Sequence, residues 1–395
     1  MIPRVGARDE SGFSLLEALV SLAVVLAVLS AVARLVDPAQ RALQAEPEIA
    51  DMQQRLRSAT STLIRELMMA GAGTAWGRNA GPLTSFLAPV LPFRQGLRLP
   101  DPPGSFKADA ITLLYVPETS LQATIAQPLP AQSGDVAVNT GVGCPLLDAV
   151  CGLSTGMNVL VYDDVSYDQF TVTGIQAPSL HLQHDFRDTA RIYPSGTKIV
   201  QVVSRTYYLK SDNATSTYQM IYYDGASGND VPVIDHVVAL QFEYYGDPQP
   251  PMMRKALTEP LGPWTTYGPK PPLPDVQTTG YAPGENCAFV NNGTTTPAPR
   301  LEVLGPLTAL VKLTAAQLTD GPWCPDDASP NRFDADLLRI RMIVITLRVQ
   351  SAVDALRGPA GVLFTHAGSA SDGNRFVPDA QVRVDISPRN LGLGR

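Results

Sequence analysis

Between Phe13 and Ala33 the chain holds a single ionisable group, Glu17, in an apolar run that continues to Val36 with only Arg34 interrupting it. A helix of that length rises about 31 Å, which matches a hydrocarbon core of about 30 Å. The segment can therefore span a membrane. A secretory signal peptide would carry a shorter apolar region ending in a small-residue cleavage site, and a buried core helix would hold no carboxylate so deep in its run. A charged group at that depth costs on the order of 3 kcal/mol, so Glu17 calls for a cation. A cut after Gly12 would create one, because the amine freed on Phe13 is protonated below about pH 8. Within one helix the two groups can partly meet; a stacked second copy offers a cleaner pairing, acting as a register device.

Gly12-Phe13-Ser14-Leu15-Leu16-Glu17 resembles the class III signal of type IV pilins and type II secretion pseudopilins. The resemblance implies cleavage after Gly12 by prepilin peptidase, N-methylation of Phe13, and Glu17 as the fifth residue of the mature chain and its assembly residue. The leader, residues 1–12, carries Arg4 and Arg8 but also Asp9 and Glu10, so a cytoplasmic N-terminus rests on the motif more than on charge bias.

A length of 395 residues is enough for a sizeable core in one large or two modest domains. A formal charge of −7 argues against general electrostatic binding to nucleic acid. No second apolar run is long enough to cross a bilayer, which places the remainder on the far side of the membrane as a soluble head. The expected organisation is a cleaved leader (1–12), a membrane and assembly helix (13–36), its amphipathic continuation (37–73) and a β-rich periplasmic head (74–395).

Pro38 and Pro47 each remove a helix hydrogen bond and predict a kink or a short unwound piece. Beyond them Ile49, Met52, Leu56, Ala59, Leu63 and Leu67 recur at spacings of three and four, one apolar face suited to pack under a β-sheet. Gly71 and Gly73 end the helix. From Asp109 the period changes to that of strands, expected over 111–116, 157–162, 169–175, 179–184, 199–209, 218–223, 233–245, 338–349 and 382–386. With no helical patterns between most of them, they predict an antiparallel sheet. The fold class is α+β and pilin-like: a long N-terminal membrane helix on an antiparallel head with a β-insertion and a long Pro-rich loop region.

Residues 246–336 are the least regular stretch, with nine prolines by Pro274; only 307–318, after Pro306, reads as helix. Such an insertion is either a contact surface for a partner or a solvated decoration. Cys144, Cys151, Cys287 and Cys324 permit three pairings, of which Cys144 with Cys151 and Cys287 with Cys324 is favoured. In an oxidising periplasm, closing the longer loop would stabilise by roughly 3 to 4 kcal/mol. Zinc is disfavoured because no Cys-x-x-Cys pair occurs and the histidines lack ligand spacing.

Other chemical patterns are thin. Asp326, Asp327, Asn331, Asp334 and Asp336 supply oxygen ligands at no defensible calcium spacing. His181 and His184, near Asp185, read as an edge-strand surface rather than a catalytic dyad. Asn213-Ala214-Thr215 and Asn292-Gly293-Thr294 match a glycosylation pattern. No nucleophile elbow, phosphate loop or His-Glu-x-x-His helix is present, so no catalytic residue, metal site or cofactor is expected.

Met52 to Gly71, Gly156 to Leu182, Ile340 to Gln350 and Val382 to Leu391 are similar to the second half of the long helix, the β-insertion, the closing strand and the tail of PilW-type minor pilins. The resemblance implies a non-enzymatic minor pilin of the inner membrane and then the pilus, taking part in initiation, assembly or the tip. Its implied partners are prepilin peptidase, other minor pilins, the major pilin and the inner-membrane assembly platform. A J-type secretion pseudopilin uses the same anchor logic; a membrane-tethered enzyme or adhesin would need a convergent polar site.

Overall fold

The computed structural model describes residues 14–73, 87–93, 110–117, 122–130, 133–140, 144–163, 167–184, 192–212, 217–224, 230–255, 263–277, 279–294, 296–329, 332–357 and 377–392. The chain divides into two compact units, Met1–Gln53 with Ser351–Asp379, and Gln54–Gln350 with Ala380–Arg395.

One helix, α1 (Leu15–Met69), runs unbroken through both prolines, so the expected unwound piece is not formed. Each proline removes a single bond, and the bonds on either side carry the helix past it. In the first unit the Glu48 carboxylate accepts from the Ala352 and Val353 backbone N–H groups at 2.8 and 3.2 Å and from the Ser351 hydroxyl. Arg357 in turn donates to the Ser351 and Ala352 carbonyls.

In the second unit the end of α1 lies on a sheet. Leu56, Ala59, Leu63 and Leu67 are buried, as is Met52 before them, whereas Ile49 is exposed. Periodicity names the face that can be covered, not where the covering begins. Glu66 accepts from the Tyr115 hydroxyl at 3.3 Å and lies 3.9 Å from the Arg205 guanidinium. Gly71 and Gly73, at φ 72° and 70°, stop the helix as expected. A Cβ on Gly73 would fall 2.4 Å from the Val116 carbonyl oxygen, so the tight approach of the turn to the next strand needs glycine twice over.

Two strands follow, β1 (Val90–Pro92) and β2 (Ile111–Tyr115), paired antiparallel. The chain then leaves the sheet for β3 (Ala123–Ile125), β4 (Ser133–Asn139), β5 (Asn158–Tyr162), β6 (Tyr167–Gln176), β7 (Ser179–His184) and β8 (Lys198–Gln201). These close on themselves in the order β3-β4-β7-β6-β5-β8 as a barrel, all neighbours antiparallel. Its interior holds Ile125, Leu129, Val136, Val159, Phe170, Val172, Leu180 and Leu182. The Tyr193 hydroxyl donates to Asp168 at 2.9 Å, satisfying a buried pair.

Only Val202 separates β8 from β9 (Val203–Asp212), which returns beside β2. The strand expected over 199–209 is thus two, serving different sheets. β10 (Thr217–Tyr223) and β11 (Val231–Gly246) continue the meander. Next come three short antiparallel pairs and one lone strand: β12 (Met253–Lys255) with β13 (Pro263–Thr265), β14 (Phe289–Val290) with β15 (Ala298–Pro299), β16 (Val311–Leu313), and β17 (Trp323–Cys324) with β18 (Phe333–Asp334). β16 rejoins the main sheet against β11, and β19 (Ile340–Val349) and β20 (Ala380–Ile386) complete it.

The helix expected over 307–318 is not formed. Val311–Leu313 pair with Tyr244–Gly246 instead, and a single 3-10 turn covers Ala316–Leu318. Its start is set by Thr314 and Gln317: the Thr314 N–H donates to Gln317 Oε1 at 2.9 Å and the Gln317 N–H donates back to Thr314 Oγ1 at 3.3 Å. The stretch after β11 is held by side chains that bind backbone. Asn286 Oδ1 accepts from the Ala288 and Phe289 N–H groups, both at 2.9 Å, and its amide donates to the Lys270 carbonyl at 2.7 Å. Arg339, fully buried, donates to the Glu302 carbonyl at 2.7 Å and the Asp247 carbonyl at 3.3 Å and is paired with Asp336.

Leu63→Ala should therefore cost about 2–5 kcal/mol, the range for emptying a buried leucine site. Thermal denaturation of the detergent-solubilised protein followed by near-ultraviolet circular dichroism should show the loss; Ile49→Ala, on the exposed turn, should not.

Candidate functional site

α1 begins directly after Ser14. Its carbonyl accepts from the Ala18 N–H at 3.1 Å and its hydroxyl accepts from the Leu16 N–H at 3.2 Å. Glu17 is exposed in the first turn, where the unsatisfied N–H groups favour a negative charge. Ser14-Leu15-Leu16-Glu17 has the Ser-x-x-Glu spacing of a helix start, a signal available in the sequence and not used there. Gly12 and Phe13, the expected cleavage and methylation positions, lie outside the described residues.

Leu15–Arg34 is, among the described residues, one helix long and apolar enough to cross a membrane, and none of it is buried. Its twenty residues rise about 30 Å. Leu15 and Leu16 are 82% and 72% exposed, and Leu19, Val20, Val28 and Leu29, spread round the circumference at about 100° per residue, are all exposed. A core helix of a soluble head would bury at least one of these faces. What the arrangement offers is an apolar rod bearing one carboxylate at its start.

Residues 7–33 match the family model described as the Prokaryotic N-terminal methylation motif. The chain carries a prepilin-type N-terminal signal. The signal marks a pilin-like or pseudopilin protein, processed by prepilin peptidase and anchored through its apolar helix. No curated protein and no solved structure matches the chain significantly.

The two disulfides join Cys144 to Cys151, Cα atoms 4.8 Å apart, and Cys287 to Cys324, 5.2 Å apart, the pairing favoured from the sequence. The second ties the β14 hairpin to β17. Of the calcium pattern, Asp334 and Asp336 belong to one carboxylate group that, among the described residues, includes neither Asp326 nor Asp327. Asp326 accepts from the Ala328 and Ser329 N–H groups, both at 3.0 Å, and from Gly280 N–H at 2.9 Å. Asn331 lies outside the described residues. His181 Nδ1 is 2.8 Å from Asp135 Oδ1, directly across from it on β4. β7 lies between β4 and β6, so this is an exposed pair on an interior barrel strand rather than the expected sheet edge. The His184 side chain is outside the described set.

Asp334 and Asp336 converge with Asp320: carboxylate oxygens of the three lie within 4.8 Å of one another. Asp334 uses both oxygens, accepting from Gly321 N–H at 2.6 Å and Asp336 N–H at 2.8 Å. Asp336 faces Arg339, which supplies the local positive charge. Burial pushes the Asp334 carboxyl up to about 7, against the pull of its two backbone donors. Burial also pushes Asp336 up to about 6 despite Arg339.

Both carboxyls hold protons in the folded head that an unfolded chain releases near pH 4. Their stabilising contribution is complete below about pH 4 and is lost as pH rises through 6 to 7, at up to about 1.4 kcal/mol per pH unit per group. Denaturant midpoints measured from pH 5 to 8 should fall with rising pH, and Asp334→Asn should flatten the slope while lowering the midpoint at pH 5, since an amide offers one acceptor oxygen where two are used.

Proposed function

We propose that this chain is a minor pilin, a non-enzymatic subunit that takes part in initiating, assembling or capping a type IV pilus. The observation that carries the reading is Glu17 in the first turn of a helix that is apolar and unburied over Leu15–Arg34 and whose last turns, from Gln54, belong to a large β-rich unit. In lipid, an uncompensated carboxylate at that position is costly, and the amine created on Phe13 by cleavage after Gly12 is a matching cation. Docking of Glu17 on the amine of a neighbouring subunit sets the axial register of one rod against the next. The leader then faces the cytoplasm, the head the periplasm, and the processed chain passes from the inner membrane into the filament with other minor pilins and the major pilin.

PilW-type minor pilins are favoured over a J-type secretion pseudopilin by the resemblances outside the anchor. Those segments supply the end of α1, strands β5 to β7 of the barrel, β19 and β20. The N-terminal signal by itself is common to both systems.

Glu17→Val should leave membrane insertion and processing largely intact and lower the amount of this subunit in sheared filaments; unchanged incorporation would overturn the pairing role. Mass spectrometry of the mature protein should find an N-terminus at methylated Phe13, and an intact Met1 would contradict processing.

A further inference from the structure

Asparagine is followed by glycine at one place in the chain, Asn292-Gly293. The pair sits in the connection between β14 and β15, where Asn291, Asn292, Gly293 and Thr294 are all exposed. An asparagine side chain can be attacked by the backbone nitrogen of the next residue, which closes a five-membered imide ring. That reaction calls for a following residue whose backbone can turn into the ring without a clash, for donors that meet the charge developing on the side-chain oxygen, and for an amide nitrogen free to leave.

All three are present. Gly293 has a φ of 77°, and nothing lies within 4 Å of where a side chain on it would stand. Asn292 Oδ1 accepts from the Thr294 N–H at 3.2 Å and from the Thr294 hydroxyl at 2.6 Å. The hydroxyl also reaches the Thr296 carbonyl at 2.8 Å, and its proton turns to whichever oxygen carries more charge. Among the described residues no hydrogen bond ties Asn292 Nδ2. The Gly293 N–H donates to Asn291 Oδ1 at 3.0 Å, and because both groups are exposed, water replaces that bond at little cost when the nitrogen turns. Asn286, just before β14, has the opposite setting: it is buried, it precedes Cys287, and its oxygen and its amide are both engaged with backbone.

We propose that Asn292 is a self-modifying site, converted in the folded protein to aspartate and isoaspartate without an enzyme. The Gly293 nitrogen gives its proton to water and bonds to Cγ; the Cγ–Nδ2 bond then breaks and ammonia leaves. Water opens the ring. Opening at Cγ restores the main chain with an aspartate side chain, whereas opening at the main-chain carbonyl leaves isoaspartate, with the chain running through Cβ and Cγ. The sum exchanges an amide and water for a carboxylate and ammonium, with no oxidant or reductant. It adds a negative charge beside Glu285, whose Oε1 accepts from the Asn291 N–H at 3.1 Å. Isoaspartate also lengthens the turn that joins Phe289–Val290 to Ala298–Pro299 by one main-chain carbon. The result is an irreversible charge mark that accumulates with the age of each molecule. The inference is independent of the pilus reading, because it involves neither Glu17 nor the anchor.

The test ages the full-length, detergent-solubilised protein at physiological temperature and mildly alkaline pH over several weeks, with peptide mapping by mass spectrometry and an isoaspartate-specific methylation assay. Asn292 should convert at least tenfold faster than any other asparagine of the chain, about 1.4 kcal/mol of barrier. Asn292→Gln, whose longer side chain closes a ring far more slowly, should remove the isoaspartate signal. Thr294→Val takes away the hydroxyl and keeps the N–H; it should slow conversion severalfold in the folded protein and leave it unchanged in a synthetic peptide of residues 288–298. An Asn292 that stays amidated while the peptide converts, a second asparagine that converts as fast, or equal rates for Thr294→Val and the wild type in the folded protein would each overturn the proposal. So would a sugar on Asn292, which would assign the Asn-Gly-Thr pattern to glycosylation.

Discussion

An α-helix satisfies its own backbone hydrogen bonds, and that property lets α1 serve two solvents along one length. From Leu15 to Arg34 its surface is apolar all round and unburied; from Leu56 to Leu67 one stripe is buried in a β-rich unit. No strand could make that change, since it would leave unpaired N–H and C=O groups wherever it lacked a neighbour. The rest of the structure follows from ending this helix correctly. Gly71 and Gly73 turn the chain so that the Gly71 N–H donates to the Leu114 carbonyl at 2.9 Å and the Val116 N–H donates to Ala72 at 2.8 Å, which fixes the first long strand against the helix end.

From that strand the head is assembled by excursions that always return to the main sheet. The barrel leaves after β2 and comes back at β9, its strand neighbour; the irregular stretch leaves after β11 and comes back through β16 and β19, which both pair with β11. Each excursion carries its own covalent tie. In the barrel, the Cys144–Cys151 bridge closes a short loop. In the irregular stretch, Cys287–Cys324 spans a separation of 37 residues where few long strands exist to hold the chain. Arg339 has a similar role without a covalent bond, its guanidinium gathering three peptide carbonyls and Asp336 at the point where the excursion rejoins β19. Gly246 permits this crossing: a side chain there would meet the Arg339 carbonyl oxygen at 2.8 Å.

The head and the anchor divide the chemistry between them. Glu17 has a simple setting, one exposed carboxylate in the first turn of a helix. In the head, burial is the leading cause of the raised Asp334 and Asp336 carboxyls, as it is for the buried tyrosines Tyr207 and Tyr267. Asp334 accepts from two backbone N–H groups and Asp336 pairs with Arg339, which marks them as internal supports of the β17–β18 region.

The sequence by itself determined the anchor and about half of the described strands, β2, β5 to β11, β19 and β20, because both are written in short-range periodicity. Phe13 to Ala33 could be little else than a membrane segment, and the strand at 179–184 was legible to the residue from alternating side chains between turn residues. The end of the helix was legible too, since glycines at 71 and 73 are a local signal. What only tertiary structure decided was which strands share a sheet and where side chains face outward. Nothing local in 199–209 says that Val202 is a border between barrel and sheet, and nothing in Pro306 to Leu318 says that β11 offers Val311–Leu313 a better set of hydrogen bonds than a helix would. The convergence of Asp320 with Asp334 and Asp336 depends on contacts far apart in the chain. Pairing over such distances is set by the total of burial and hydrogen bonding over many partners, a sum no window of sequence contains.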